Sequence, residues 1–139
     1  MFANLFSRQS NSEEGEISAR QALAALMVRI AKSDDDYAIA ECERIDAVLS
    51  VLYSLPAAEA SALRLQAETL EADAPDTVRF TRAIKEEVPY DERFDVVRAL
   101  WQVVLADGER DHEEDALMRL LASLLGVNDR DSAIARRRA

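Results

Sequence analysis

The sequence predicts an all-α fold: a compact bundle of six to seven helices containing two pseudo-repeated helix–acidic loop–helix hairpins. Three observations predict it. Apolar residues recur at helical spacing along most of the chain, and no stretch sustains the period-two alternation of a half-buried strand. Only three glycines and three prolines occur in 139 residues, too few to serve the many tight turns of an all-β fold. Two acidic breaks interrupt the apolar stripes at matching places. The length fits one domain, and 49% apolar with 32% charged residues suits a folded core.

Taken in order, residues 7–16 are polar and aperiodic, so 1–17 reads as a flexible lead-in and 18–139 as a single helical domain. Within residues 1–6, Phe2, Leu5 and Phe6 have the spacing of a small apolar face for a membrane or a partner, the alternative being a frayed terminus. Leu23, Leu26, Met27 and Ile30 then fall at i, i+3, i+4 and i+7, the inward stripe of a first helix. Asp34-Asp35-Asp36 breaks it. Cys42, Ile45, Leu49 and Leu52 carry a second helix, with Cys42 expected as a small buried hydrophobe. Pro56 suits the first turn of a third, whose inner face is Leu63, Ala67 and Leu70.

A fourth helix opens at Pro75 or Asp76 with Phe80, Ile84 and Val88 inward, and Pro89 stops it. Phe94, Val97, Trp101, Val104 and Leu105 make the strongest stripe of the chain, with Trp101 and Phe94 expected to fill the core. A second acidic break runs from Asp107 to Glu114. Leu117, Leu120, Leu121 and Leu124 mark a sixth helix, and Gly126 sits where a C-terminal cap belongs. Asn128 can cap a short last helix ending in Arg136-Arg137-Arg138, a basic helix end or a grip for an anionic partner.

The two acidic breaks repeat one pattern. LMVRIAKSDDDYAIAECERI (26–45) and LWQVVLADGERDHEEDALMRLL (100–121) each run an apolar helix into an Asp, followed seven residues later by a Glu. Asp34 and Glu41 become Asp107 and Glu114 at an offset of 73 residues, which divides the domain into repeats of roughly 18–72 and 90–139.

These acids are the one chemical constellation in the chain. Asp107, Glu109, Asp111 and Glu114 stand at loop positions 1, 3, 5 and 8, and alternate carboxylates of a tight loop can surround a hard cation such as Ca²⁺, Mg²⁺ or Mn²⁺. The first copy offers Asp34, Asp36 and Glu41, with Ala38 in place of the third acid, so weaker binding is expected there. Neither copy has EF-hand spacing. The alternative role is helix capping: carboxylates at a helix start accept the free backbone N–H groups, and Asp111 with Glu114 has capping-box spacing.

Other chemistries find little support. The formal charge of −10 opposes a general nucleic-acid binder. Cys42, the single cysteine, excludes an intramolecular disulfide and a multi-Cys zinc site. His112, the single histidine, sits among acids, either at a metal or in solvent. No catalytic residue and no nucleotide-cradling glycine loop is identified. The expected location is the cytoplasm, since the N-terminus lacks a signal peptide and the longest apolar run is Ala22–Val28.

The stretch ALWQVVLADGERDHEEDALMRLLASLLGV (99–127) resembles the tellurite-resistance TerB-like family, whose members carry a similar LW-x-VA-x-ADG-acidic-EE-x-L-x-R-x-A-x-LLGV run. The first half, FTRAIKEE (80–87) and YDER (90–93) are similar to the same family, so the likeness spans roughly 20–137. Asp35 stands where the family usually has Gly. The resemblance implies a helical domain with acidic cation sites, falling here on Asp34, Glu41, Asp107 and Glu114. It also implies a link to tellurite and stress responses, often near membranes. The resulting expectation is a non-enzymatic module that binds a divalent cation and docks protein partners, membrane-associated ones among them. It is expected as a monomer or weak dimer. The alternative is a metal-dependent hydrolase using the same carboxylates.

Overall fold

A computed structural model describes residues 17–33, 37–74, 76–105 and 112–139, with side chains in the last segment described from Asp115 onward. Among them are seven α-helices, a 3₁₀ turn and no strand: α1 Ala19–Lys32, α2 Ile39–Tyr53, α3 Ala57–Asp73, α4 Val78–Glu87, the 3₁₀ turn Tyr90–Glu92, α5 Arg93–Val104, α6 His112–Leu124 and α7 Asp129–Arg137.

Helix α1 starts because its first N–H groups find acceptors. Ser18 Oγ accepts from the Gln21 N–H at 3.1 Å, and Gln21 Oε1 accepts from the Ser18 N–H at 3.0 Å, a reciprocal capping box. Glu87, at the end of α4, accepts the Ala19 N–H at 3.1 Å and ties the two termini together. Ten of the fourteen residues of α1 are buried. A helix buried on nearly every face must be surrounded, and α1 packs against α2, α3, α4 and α5. The expected stripe Leu23, Leu26, Met27 and Ile30 is fully inaccessible.

Helix α2 buries Ile45, Val48 and Leu49. Cys42, expected inside, is half-buried beside the Tyr37 hydroxyl, because it lies in the first turn at the rim of the α2–α3 packing. The helix ends at Ser54, whose left-handed φ of 55° lets the Leu55 N–H reach the Ser50 carbonyl at 3.0 Å. Pro56 then precedes α3, as its fixed φ allows. Phe80 and Ile84 of α4 are fully buried, and Val97, Leu100, Trp101 and Val104 of α5 join them.

In α6 the inward face is turned by one position. Met118, Leu121, Ala122 and Leu125 are buried, while Leu120 is exposed and Leu117 and Leu124 are half-buried. The leucine-rich run offers two overlapping helical stripes, and the helix end selects between them. Gly126 adopts φ 78°, its N–H reaches Ser123 O at 3.0 Å, and the Val127 N–H reaches Ala122 O at 2.8 Å. This Schellman closure buries Val127 and pulls Leu125 inward. Asn128 Oδ1 accepts from the Asp131 N–H at 2.8 Å and starts α7. Among the described residues no helix is long and apolar enough to cross a membrane.

Candidate functional site

The acidic stretches occupy the two connections that the fold sets in equivalent places. A shift of 73 residues carries the starts of α1, α2 and α3 (19, 39 and 57) to 92, 112 and 130. Helices α5, α6 and α7 start at 93, 112 and 129. Of the proposed cation ligands, Asp34, Asp36, Asp107, Glu109 and Asp111 lie outside the described residues, as do the side chains of Glu114 and His112. The proposed Asp111–Glu114 capping box falls there too.

Glu41 is the one described ligand candidate, and it serves as a cap. One of its carboxylate oxygens accepts the Ala38 N–H at 3.1 Å, satisfying a donor that Ala38 itself cannot cap. Among the described residues no group of three or more His, Cys, Asp or Glu side chains is arranged to hold a metal ion.

What the structure adds is a support on α3 that sequence spacing does not show. Glu71 draws in the last turn of α1: Lys32 Nζ stands 2.8 Å from one carboxylate oxygen and Arg29 Nε 3.1 Å from the other. Arg29 also donates to the carbonyls of Glu71 at 3.2 Å and Ala74 at 2.7 Å. One turn earlier, Glu68 accepts from the Tyr37 hydroxyl at 2.7 Å and from Arg64 at 2.6 Å. Arg64 in turn reaches Asp46 of α2 at 2.7 Å, and Ser61 donates to the same carboxylate at 2.8 Å. Lys32 and Tyr37 flank the first acidic stretch, so both of its ends are fastened to one face of α3.

The electrostatics follow from these partners. Burial alone would raise the Glu71 carboxyl, but hydrogen bonds from Lys32 and Arg29 outweigh it and hold it below the usual carboxylate range. Burial pushes the Tyr37 phenol well above its ordinary value, and its bond to the Glu68 carboxylate adds to the rise. Both groups keep the protonation state that their bonds require.

A second polar arrangement lies where α5, α6 and α7 meet. Trp101 Nε1 donates to Ser132 Oγ at 3.1 Å in the interior. The Arg136 guanidinium lies 5.2 Å above the Trp101 ring, and Arg138 lies 5.9 Å above Phe94. Two of the three terminal arginines therefore hold α7 on α5 by cation–π contact. An open cleft of about 400 Å³ beside them is lined by Trp101, Asp115, Arg119, Asp129, Ser132 and Arg136.

The family model described as tellurite resistance protein TerB matches residues 20–137, most of the chain. The chain belongs to the TerB family. No curated protein and no solved structure gives a significant match. The TerB match runs from the first turn of α1 to the last residue of α7, so both hairpins and the α3 support lie within it.

Proposed function

We propose that this TerB domain is a non-enzymatic module that binds a divalent cation through its acidic connections and docks protein partners in a tellurite or stress response. The observation that carries the reading is positional. Two acid-rich stretches related by a 73-residue shift fall between structurally equivalent helix pairs, α1–α2 and α5–α6. Capping alone requires one acid at each helix start, whereas Asp107, Glu109, Asp111 and Glu114 supply four oxygen-donor side chains within eight residues. Ca²⁺, Mg²⁺ and Mn²⁺ are the cations that such all-oxygen sets take.

The charge of −10 sets the partner chemistry. Basic or membrane-associated proteins fit it, in the cytoplasm or at the membrane periphery, and self-repulsion keeps the module a monomer or weak dimer. Such docking weakens as salt rises, because exposed charges are screened beyond roughly 8 Å at physiological ionic strength.

Calorimetric titration with each cation tests the metal reading. Heat on binding and a raised melting temperature are expected. Alanine at Asp107 and Glu114 should reduce binding more than alanine at Asp34 and Glu41. No heat and no thermal shift at millimolar metal would refute it. Recovery of a partner from lysate in equal yield at low and about 1 M salt would refute electrostatic docking.

A further inference from the structure

The two halves of the domain differ where their second and third helices meet. In the first half that junction is closed. Asp46, the eighth residue of α2, accepts from Ser61 at 2.8 Å and from Arg64 at 2.7 Å, the fifth and eighth residues of α3. Counted the same way, α6 and α7 place Arg119, Ala133 and Arg136 at these positions. An arginine thus stands where the first half has its carboxylate. An open cleft of about 400 Å³ takes the place of the closed junction, and Arg119, Ala133 and Arg136 all line it. Arg119 has no ion pair or hydrogen bond among the described residues, and the Arg136 guanidinium is left with the Trp101 ring, 5.2 Å away.

We infer that this cleft binds a free α-amino acid with an uncharged side chain, its carboxylate taking the place that the Asp46 side chain fills in the first half. Three observations select that ligand. First, the Arg64–Asp46 pair shows that these helix positions bring a guanidinium and a carboxylate within hydrogen-bond reach, and in the second half the carboxylate alone is missing. Second, Ser132 lines the cleft and is only 7% exposed. Its oxygen accepts the Trp101 Nε1–H at 3.1 Å, so the hydroxyl keeps its own proton to donate to a ligand oxygen. Third, Asp129, the first residue of α7, and Asp115 of α6 line the same cleft, which sets two acids beside two bases.

That balance decides between a plain anion and a zwitterion. A lone anion meets both carboxylates and the −10 of the whole chain. A molecule whose ammonium group lies next to its carboxylate carries no net charge and satisfies both signs at once, with Asp129 as the acceptor for the ammonium. The volume lies at the low end of the roughly 300–1,000 Å³ of ligand clefts, as a small metabolite requires, and Trp101 and Ala133 give its side chain apolar cover. Binding here uses none of the proposed cation ligands, so neither reading depends on the other.

Trp101 is the single tryptophan of the chain and lines the cleft, so its emission reports on occupancy. The test titrates the full chain with glycine, L-serine and L-leucine, which share the zwitterion and differ in side chain, and follows Trp101 fluorescence and calorimetric heat. Saturable binding of at least one is expected, with acetate and methylamine, each carrying one of the two charges, weaker by about tenfold or more. Arg119→Gln should weaken binding by about tenfold or more with the melting temperature unchanged, since Arg119 has no bond to lose. Arg119→Asp restores a carboxylate opposite Arg136, as in the first half, and should abolish binding without lowering the melting temperature. No saturation by either readout at millimolar amino acid overturns the inference. So does acetate binding as tightly as the amino acids, which would make the cleft a simple anion site, and so does binding that survives Arg119→Asp, which would place the ligand elsewhere.

Discussion

Removing one oxygen from the α5–α7 contact is expected to lower stability by about 2 kcal/mol. Ser132→Ala deletes the acceptor of the Trp101 Nε1–H, 3.1 Å away, with Trp101 and Ser132 only 8% and 7% exposed. A buried donor stripped of its partner costs about 1–3 kcal/mol, more than the net value of the bond when both partners are present. Trp101 and Ser132 border the open cleft beside Arg136, so water can partly replace the lost hydroxyl and the middle of that range applies. With 139 residues, an unfolding entropy of roughly 0.29 kcal/mol/K turns about 2 kcal/mol into a fall of about 7 °C in melting temperature. Urea unfolding followed by circular dichroism measures the change. A cycle with Trp101→Phe isolates the coupling, because once the donor is gone the Ser132 hydroxyl matters little. A Ser132→Ala midpoint within about 0.5 kcal/mol of the parent, or a coupling energy near zero, would show that water satisfies the indole and that the bond does not fasten α7.

Three further outcomes are expected. Phe80→Ala, at a fully inaccessible site beneath Arg29, should cost about 3–5 kcal/mol in the same unfolding assay. Gly126→Ala should cost about 1–2 kcal/mol; the new Cβ meets only Arg93 Nη1 at 3.5 Å, an ordinary contact, so the loss reports the strain of φ 78°. Glu71→Gln should flatten the acid limb of the stability profile. Glu71's lowered pKa contributes stability that is present above its ordinary value of 4.5 and lost as pH falls through the folded-state value. Thermal melts across that window should find the variant's deficit largest near neutrality and shrinking toward low pH. A deficit independent of pH would refute the assignment.

Local signals were legible in the sequence, and long-range ones were not. Asn128 and Gly126 could be read as caps because their partners lie within a few residues, and the Ser18–Gln21 capping box, equally local, went unread. The α1 stripe was legible because every candidate position turned out buried. The inward face of α6 was not, since Leu117, Leu120, Leu121 and Leu124 compete with an equally regular stripe one position on, and a backbone closure beyond the helix decides. The polar support on α3 was invisible for a different reason: Glu71 meets Lys32 across 39 residues and Glu68 meets Tyr37 across 31. Only the Arg64–Glu68 pair, at i and i+4, left a local trace. Glu41 was expected as a cation ligand, with helix capping as the alternative role for such acids, and in the described structure it accepts the backbone N–H of Ala38. The arginines at 136 and 138 found aromatic rings 35 and 44 residues earlier in α5, on Trp101 and Phe94 respectively; composition alone allowed either solvent or an anion.

The placement of α1 also sets a timetable for the chain during synthesis. It is the first described helix to be made, yet its cover comes from α2, α3, α4 and α5, the last of which ends at Val104. Between Lys32 and Val104 a ribosome adds 72 residues, which takes about 4–14 s at 5–20 residues per second. Through that interval a helix with ten interior-facing residues has only part of its shell, and like every other incomplete core it adheres to whatever apolar surface is near. Slowed elongation between α1 and α5 would lengthen that exposure without altering a single native contact. Aggregation of nascent chains should therefore depend on translation rate more steeply than the stability of the finished fold would suggest.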